Sequence, residues 1–560
     1  MQRTRYLATL LAVAGLVQAA PREFQSQDAG TRYGGAIAGQ DWGRPLASGD
    51  LDGDGYDDVI VGASKSWGGI LSQVSVLRGG PGRHGLGLVD LTQTAPDQTI
   101  LGAAVDDNLG ASIATGDFNG DGVADLVLCA STADLSGVTD RGIAYLIYGG
   151  PDFFNLAVRD LAVTSNWSLR VLGPVAGGDM GGYNLFGGLD AHGAGFGNLN
   201  GDAYADLILG VHRADGGATQ SGRVYVIFGG PFPPGYTRNL AVATSYNVRI
   251  DGKGTYDELG TFVLAADLTG DGIDELILPN EYASRGLFTS EGAVHIWRGR
   301  TTWANLYQLT VAPADITLLG ARAQDELGVA AAAGDFNGDG LMDLVTAAPG
   351  ADAGPHNTQR GDGFIYGLLG SPTYQTGTLT INYLTAPPDF LLIGEFEENL
   401  GDELSAGDFD GDGYADIAAC ERFGGPATNG VVEVLFGRDF DPGATYVAAV
   451  DTDLRIIGAA QDRIGFSLSA ADVNNDGLAE ILFGTPFNNA DRGTAYLFTY
   501  VSGDADHDRD VDLADIAALQ ACADAPRGLA APCPQFDLDL DEDVDALDFA
   551  ALLPYLGGPQ

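Results

Sequence analysis

The chain is poor in the residue types that build redox sites, histidine-metal sites and nucleic-acid interfaces. It has 4 cysteines, 6 histidines and 28 lysines plus arginines, against 76 aspartates plus glutamates, in 560 residues. The net charge of -48 argues against nucleic acid as a partner, because phosphate backbones bind basic surfaces. No stretch of about 20 uninterrupted apolar residues follows the N-terminus, which predicts no membrane span. The sequence carries neither a nucleophile motif nor a phosphate-binding glycine loop, so we expect a protein that is not an enzyme.

The first 20 residues have the pattern of a signal peptide. Arg3 and Arg5 precede a short apolar stretch at residues 7–17, and small residues follow it. An amphipathic first helix is the alternative interpretation. Export predicts a secreted or cell-surface protein, where millimolar calcium can fill sites too weak for the cytosol.

The cysteines form two pairs of different kinds. Cys129 and Cys420 lie at equivalent places in two apolar runs, which predicts buried, reduced thiols. Cys522 and Cys533 lie eleven residues apart in an acidic tail. In an exported protein this spacing favours a disulfide.

A nine-residue aspartate-rich loop is the most informative feature of the chain. Its first copy runs from Asp50 to Asp58, and six later copies follow at intervals of 64 to 81 residues, starting at Asp117, Asn198, Asp267, Asp335, Asp408 and Asp472. Oxygen side chains occupy positions one, three, five and nine, and six copies have glycine at position six. Alternating hard oxygen ligands, with a glycine for the sharp turn, suit Ca2+ better than Mg2+. Seven solvated turns are the alternative.

The predicted calcium ligands are positions one, three, five, seven and nine of six copies, where position seven offers its carbonyl oxygen. They are Asp50, Asp52, Asp54, Tyr56, Asp58, Asp117, Asn119, Asp121, Val123, Asp125, Asp267, Thr269, Asp271, Ile273, Glu275, Asp335, Asn337, Asp339, Leu341, Asp343, Asp408, Asp410, Asp412, Tyr414, Asp416, Asp472, Asn474, Asp476, Leu478 and Glu480. The third copy departs most, with Asn198 first and Ala203 in place of glycine, and is left out. The fourth copy departs at Thr269, its third position.

Each loop lies in a unit that carries the signals of four short strands. An apolar run ending in glycine comes first, and a second glycine precedes most loops by seven residues. Two further β-rich runs follow the loop. Seven such units predict an all-β fold, a seven-bladed β-propeller of four-stranded blades. The last unit lacks one strand, whereas residues 36–39 supply a spare one. The N-terminal strand should therefore complete blade seven and close the ring.

Two residue patterns flank the loops. Trp42-Gly43 precedes the first loop and residues 61–64 follow it, and Leu327-Gly328 and residues 347–349 flank the fifth in the same way. With these patterns, the units resemble FG-GAP repeats, the units of the integrin alpha-subunit head, over about residues 30 to 501. The resemblance implies that the aspartate loops bind Ca2+ on one face of the propeller. It also implies that the opposite face contacts ligands.

The C-terminal tail, residues 502–560, contains two aspartate-rich loops, each followed by an apolar run in helical register. This arrangement follows the EF-hand rule of ligands at alternating positions, and it resembles a dockerin, a small α-helical domain with duplicated calcium loops. Arg509 and Glu542 stand where the turn glycine belongs. A solvated acidic tail is the alternative. The predicted ligands are Asp504, Asp506, Asp508, Asp510, Asp515, Asp537, Asp539, Asp541, Asp543 and Asp548.

The predicted domains are a signal peptide (1–20), a propeller (21–501) and the paired calcium-loop tail (502–560). We expect a secreted, monomeric, calcium-binding module that binds an extracellular glycan or surface protein. The variable segments 134–141, 212–223 and 282–292 should carry specificity. The alternatives are a calcium-dependent polysaccharide lyase or hydrolase, and a dockerin protein recruited to a cohesin-like scaffold.

An acidic residue stands three places before the glycine of five units. We expect these carboxylates to accept backbone N–H groups of their own turns, with a ring of ligand-binding acids opposite the calcium loops as the alternative. They are Asp107, Asp257, Asp325, Glu398 and Asp462.

Overall fold

A computed structural model describes most of the predicted propeller. The described residues are 22–36, 42–63, 69, 71–83, 85–182, 192–284, 290–353, 361–448, 450–459, 462–486 and 492–500. The predicted signal peptide, the disulfide and the paired calcium-loop tail lie outside these residues and stay predictions. Within the described ranges, no helix is long and apolar enough to cross a membrane.

Short strands make up almost all of the regular structure. The first are β1 (Arg22–Gln25), β2 (Thr31–Gly34), β3 (Trp42–Gly49), β4 (Asp58–Ala63), β5 (Gln73–Leu77), β6 (Gly87–Asp90), β7 (Gln98–Leu101), β8 (Leu109–Gly116), β9 (Asp125–Ala130), β10 (Ile143–Ile147), β11 (Val158–Asp160), β12 (Leu169–Leu172), β13 (Ala194–Gly197), β14 (Asp206–Val211), β15 (Arg223–Ile227), β16 (Tyr236–Asn239) and β17 (Val248–Asp251). The rest are β18 (Leu264–Ala266), β19 (Glu275–Asn280), β20 (Ala293–Trp297), β21 (Leu306–Gln308), β22 (Ile316–Leu319), β23 (Ala331–Gly334), β24 (Asp343–Ala348), β25 (Phe364–Leu368), β26 (Leu379–Asn382), β27 (Phe390–Ile393), β28 (Leu400–Gly407), β29 (Asp416–Glu421), β30 (Val431–Leu435), β31 (Ala444–Val447), β32 (Leu454–Ile457), β33 (Ser467–Ala471), β34 (Glu480–Thr485) and β35 (Thr494–Phe498). Short 3-10 helices span Ser26–Asp28, Phe153–Asn155, Thr164–Asn166, Ala243–Ser245, Pro372–Gln375 and Pro426–Thr428.

The strands form seven sheets, one for each predicted blade. In chain order of the blades the sheets are β3-β4-β5-β7-β11, β8-β9-β10-β12-β16, β13-β14-β15-β17-β21, β18-β19-β20-β22-β26, β23-β24-β25-β27-β31, β28-β29-β30-β32-β1 and β33-β34-β35-β2-β6, each read from its first strand outward. The first four strands of each sheet pair antiparallel, as adjacent pairs such as β3 with β4 show. All six residues of every second strand are buried, because each sheet packs between two neighbours. The seven-bladed propeller is thus confirmed.

Each sheet has a fifth strand that the sequence pattern did not predict. This strand lies between the third and fourth strands of the next blade and pairs in parallel with the fourth strand of the blade before it, as β11 does with β7 and β16 with β12. The long connection therefore covers the open edge of the preceding sheet. The expectation of four-stranded blades was incomplete for this reason.

The N-terminus closes the ring with two strands. β2 pairs antiparallel with β35 and supplies the fourth strand of blade seven, which confirms the predicted closure. The closing strand is Thr31–Gly34, earlier than the predicted residues 36–39, of which 37–39 lie outside the described residues. β1 pairs in parallel with β32 and covers the edge of blade six. Cys129 and Cys420 are buried free thiols, as predicted.

The strand order separates two faces of the propeller. The aspartate loops join the first and second strands of each blade, and we call this side the loop face. The turns before the first strands and the connections between second and third strands lie at the other ends of the same strands, on what we call the turn face. Two of the predicted variable segments, residues 134–141 and 212–223, belong to the turn face, since they connect β9 to β10 and β14 to β15.

Candidate metal centres

The nine-residue loops all have the same position in their blades. Position one follows the first strand, and position nine is the first residue of the second strand. The seven residues at position nine are Asp58, Asp125, Asp206, Glu275, Asp343, Asp416 and Glu480, and each is at most 1% exposed. Burial of a carboxylate is unfavourable unless the carboxylate is hydrogen-bonded, so an acid at this place needs donors nearby.

The carboxylate at position one organises its own loop. Asp50 Oδ1 accepts the N–H groups of Gly53 at 2.7 Å and Asp54 at 3.1 Å, and Oδ2 accepts that of Gly55 at 2.9 Å. Gly53 and Gly55 have φ angles of 77° and 91°, a left-handed backbone that glycine adopts readily. Asp117 and Asp267 hold their loops in the same way.

The carboxylate at position nine ties the loop to the blade. In all seven blades it accepts the N–H of position two, as Asp416 does from Phe409 at 2.7 Å. In five blades it also accepts the N–H of a glycine that follows the third strand, as Asp416 does from Gly437 at 2.8 Å. Those glycines are Gly79, Gly149, Gly229, Gly370 and Gly437.

Burial makes these ninth-position carboxylates costly to ionise in the absence of a cation. Desolvation raises the pKa of Asp58, Asp125, Asp206 and Asp343 to about 7. For Asp416 the pKa rises to about 8, again mainly by burial, with Asp410 adding to it. A bound cation would favour the charged carboxylates.

Two of the loops gather three carboxylates with the spacing of a divalent-cation site. Asp50, Asp52 and Asp54 in loop one each offer an oxygen within 4.8 Å of the others. In loop six Asp408 and Asp410 do so together with Asp416 at position nine. Asp52 Oδ1 is buried without a hydrogen-bond donor among the described residues. An orphaned buried oxygen among hard oxygen ligands fits a divalent cation.

Loop one also contains an internal cation. The Arg78 Nη2 atom lies 2.5 Å from Asp52 Oδ2 and 3.0 Å from Asp54 Oδ2. The guanidinium comes from the end of the third strand, and its side chain is 43% exposed. A divalent cation in loop one would therefore share these carboxylates with Arg78.

Four loops carry asparagine at position three, namely Asn119, Asn200, Asn337 and Asn474. The Asn119 Nδ2 atom donates to Asp121 at 3.0 Å and to Asp125 at 3.3 Å. Asn474 makes the matching bonds to Asp476 and Glu480, and Asn337 donates to Asp339. The amide thus stands between the carboxylates that a cation would bridge. Because asparagine offers one carboxylate fewer, the three-acid groups among the described loop-face residues are those of loops one and six.

Loops three and four show what their sequence departures do. Asn198 Oδ1 accepts the N–H of Gly201, while its Nδ2 donates to the Asp202 carbonyl, so a neutral side chain folds the loop. In loop four Asp267 keeps all three loop N–H bonds, and Thr269 Oγ1 lies 3.5 Å from Asp267 Oδ1 and from Glu275 Oε1. Loop four retains the geometry of position one, and loop three has lost a charge there.

Position eight joins the loops into a ring, which the sequence analysis missed. In six of the seven adjacent pairs of loops, its N–H donates to the position-one carbonyl of the preceding loop, at 2.8–3.1 Å. These bonds run from Asp57 to Asp472, Ala124 to Asp50, Ala205 to Asp117, Asp274 to Asn198, Ala415 to Asp335 and Ala479 to Asp408. Since main-chain groups make the bonds, position eight can be Asp or Ala and carries no sequence signal. When one loop is ordered, these bonds therefore favour the ordered conformation of the neighbouring loop.

The residues at position seven have a packing role besides the predicted one. Their N–H groups donate to the position-five carboxylate, as Tyr56 does to Asp54 at 3.2 Å. Their side chains lie against a glycine of the preceding loop, as Val123 does against Gly53 and Leu478 against Gly411. The use of their carbonyls as cation ligands stays a prediction.

On the turn face, most of the acids that recur before the unit glycine serve their own turns, as expected. Asp107, Asp257, Asp325 and Asp462 accept the N–H three residues earlier at 2.6–3.1 Å. Glu398 differs, because Glu421 accepts the corresponding N–H. The backbone is left-handed at non-glycine residues on either side of these acids, namely Asp106, Asn108, Tyr256, Glu258, Gln324, Glu326, Glu397, Asn399 and Arg463.

Comparison with known proteins identifies the repeats. The family model for the FG-GAP repeat matches residues 42–76, 109–147, 192–227, 327–368, 400–432 and 464–498. The chain carries six FG-GAP repeats. They lie in blades one, two, three, five, six and seven, and blade four has the same strand order outside the matched segments. The predicted resemblance is confirmed for these FG-GAP segments.

The FG-GAP region is similar to parts of longer proteins. It is 30% identical over 241 residues to phosphatidylinositol-glycan-specific phospholipase D of Mus musculus, covering 41% of this chain and 26% of that protein. It is 25% identical over 247 residues to integrin alpha-PS2 of Drosophila melanogaster, covering 40% and 15%. Integrin alpha-V of Gallus gallus is 29% identical over 234 residues, covering 40% and 20%. The chain thus spans about a quarter or less of these relatives. Among solved structures, rhamnogalacturonan lyase YesW aligns at a TM-score of 0.36 and 13% identity, covering 82% of this chain and 72% of that one.

Proposed function

We propose that the protein is a secreted, calcium-stabilised propeller that binds an extracellular glycan or surface protein through its turn face. The contrast between the two faces carries this proposal. Main-chain hydrogen bonds link successive loops on the loop face. The turn face instead combines variable connections with left-handed residues, a kind of strain that clusters at binding sites.

The turn face also presents suitable side chains. Tyr256, Tyr282 and Phe396 are 48%, 40% and 56% exposed. They lie among acidic turns of blades four and six. Aromatic rings with carboxylates nearby can stack on sugar rings or peptide side chains while hydrogen-bonding their polar groups.

Two polar side-chain pairs lie near the inner strands on this face, and their acidic members are buried. His192 Nε2 lies 3.0 Å from Glu403 Oε2, and Arg422 Nε lies 2.9 Å from Asp402 Oδ2. His192 also packs against the Phe262 ring. Because they combine charge and aromatic surface at one place, these groups extend the proposed ligand surface toward the propeller axis.

The loops, on this proposal, bind Ca2+ and stabilise the propeller. An ion that binds the folded chain alone adds about 2.7 kcal/mol when its concentration is a hundredfold above its dissociation constant. The bonds between loops would pass that ordering from blade to blade. Recruitment through the calcium-binding tail is a further part of the proposal, which rests on sequence.

The binding proposal is tested by screening the full chain against arrays of glycans and surface proteins, with calcium and with EGTA. Tyr256→Ala and Phe396→Ala should weaken captured binding about tenfold or more, since an aromatic anchor contributes about 2 kcal/mol. Val158→Ala is a matched control, because Val158 is 56% exposed and is the first residue of β11, at the end of that strand nearer the loop face. Equal binding by all variants would contradict the assignment of the turn face.

Calcium should stabilise the protein more at pH 8 than at pH 5. The folded-state pKa of Asp58 is about 7 against 3.8 for an ordinary aspartate, so its contribution to stability is present below pH 3.8 and is lost as pH rises through 7. The ionised carboxyl binds the cation, so calcium restores what ionisation removes. Thermal unfolding with calcium and with EGTA should show a difference in melting temperature that grows from pH 5 to pH 8. A difference independent of pH would contradict the role of the ninth position.

A further inference from the structure

Blade six has a second group of acids, at the end of the blade opposite its aspartate loop. Glu395 and Glu398 lie in the turn before β28, and Glu421 is the last residue of β29. Each offers one carboxylate oxygen within 4.8 Å of the others. Because β28 separates this group from loop six, the two lie roughly 20 Å apart.

The other blades show what is unusual here. In four turns the acidic residue accepts the N–H three places before it, as Asp325 does from Arg322 at 2.7 Å. In blade six the Glu395 N–H donates instead to Glu421 Oε1, at 3.3 Å. The Glu398 carboxylate is thereby released from the turn, and its Oε2 is buried without a hydrogen-bond donor among the described residues.

Glu421 of this group and the neighbouring Glu433 replace residues of other chemistry. The last residue of the second strand is Glu421 in blade six, whereas the six other blades have Ala63, Ala130, Val211, Asn280, Ala348 and Thr485. The middle residue of the third strand is Glu433, where the other blades have Ser75, Tyr145, Tyr225, His295, Tyr366 and Tyr496. Folding of a blade therefore does not require these carboxylates.

A single guanidinium serves the whole group. Arg455 Nη2 donates to Glu395 Oε2 at 2.6 Å, and it lies 3.9 Å from Glu421 Oε2 and 4.0 Å from Glu398 Oε2. Its Nε is 3.3 Å from Glu433 Oε1, and the Thr452 hydroxyl donates to Glu433 Oε2 at 2.7 Å. Glu421 has a fully buried side chain, yet its Oε2 has no hydrogen-bond donor within the described part of the chain. Arg455 is too far from this oxygen for a hydrogen bond, so the buried carboxylate oxygen needs a closer cation or a proton.

We propose that Glu395, Glu398 and Glu421 form a divalent-cation site on the turn face, separate from the FG-GAP loops. Three carboxylate oxygens with this spacing suit Ca2+, which takes oxygen ligands at about 2.4 Å. The Glu395 side chain is 41% exposed, so the site opens to solvent. The remaining coordination positions would take water or an oxygen atom of a ligand bound to the turn face. Arg455 would keep its contacts with the Glu395 and Glu433 carboxylates and hold both in position.

The site is tested by counting the calcium ions bound to the full chain. Equilibrium dialysis against radiolabelled Ca2+ should give one ion fewer per chain for Glu421→Gln and for Glu398→Gln than for the unchanged protein. Glu397→Gln is the matched control, because it removes one charge from the same turn without removing an oxygen of the triad. Circular dichroism checks the fold, and Glu398→Gln, whose side chain is 22% exposed, decides the matter if Glu421→Gln does not fold.

Two outcomes would contradict the proposal of a cation site here. Glu398 is within hydrogen-bonding reach of Glu421, so a shared proton could satisfy both carboxyls. In that case, all variants would bind as many ions as the unchanged protein. If Glu397→Gln also lost one ion, the effect would be one of general charge, and the triad would not be a built site. Both results are independent of whether the turn face binds a glycan or a protein.

Discussion

Replacing Asp416 with alanine should lower the free energy of unfolding by about 3 kcal/mol even when calcium is absent. The Asp416 side chain is fully buried, and it accepts the N–H groups of Phe409 at 2.7 Å and Gly437 at 2.8 Å. Alanine would leave two buried donors without partners, each costing about 1–3 kcal/mol. Denaturant unfolding in EGTA measures this loss directly.

The matched control for this substitution is Asp412→Ala in the same loop. Asp412 has the same charge and is also a predicted ligand, but it is exposed and accepts a loop N–H from Tyr414. In EGTA its loss should cost less than about 1 kcal/mol, as surface changes usually do. With calcium both variants should lose the stabilisation that the ion provides. If Asp416→Ala cost no more stability in EGTA than Asp412→Ala, the carboxylate at position nine would act through the cation alone.

Removing residues 22–34 should abolish the closed propeller. This deletion takes away β2, the fourth strand of blade seven, and β1, which covers blade six. It also removes the Ser26 hydroxyl that donates to Asp462 and accepts the Ala459 N–H. At about 1 kcal/mol for each lost hydrogen bond, we expect roughly 5 kcal/mol or more of destabilisation. The exposed edge of β35 should also cause aggregation.

Complementation in trans distinguishes closure from a general effect of truncation. A synthetic peptide of residues 22–36 should restore the monomeric, cooperatively unfolding species, measured by light scattering and thermal unfolding. A peptide with Thr31 and Tyr33 replaced by proline should fail, because proline removes N–H donors needed for pairing with β35. A truncated chain that unfolds like the full chain would contradict closure by β2.

The blades and their number could be predicted because the relevant signals are local. Loop spacing, the glycine before each first strand and the apolar second strand recur in successive units. The assignment of strands in one unit therefore supports the same assignment in the others. The closing strand was placed a few residues late, since several short segments near the N-terminus have strand composition. Pairing with β35 selects Thr31–Gly34, and that contact is distant in sequence.

The fifth strands and the ring of loops could not be read from the sequence. A segment such as Gly87–Asp90 is short and part of a long connection, and it becomes a strand because the neighbouring sheet presents an open edge. The bond from Ala124 to the Asp50 carbonyl uses main-chain groups alone. Neither feature requires a particular side chain, so neither leaves a sequence pattern.

The sequence by itself determined the repeat, the propeller, the loop positions and the oxygen side chains that the loops carry, because each depends on short patterns that recur from unit to unit. Tertiary structure alone decided which carboxylates are buried, which are tied to the backbone and which meet across strands. Glu398 and Glu421 show the difference. They are separated by a strand, an aspartate loop and a second strand, and they come together because β28 and β29 pair antiparallel.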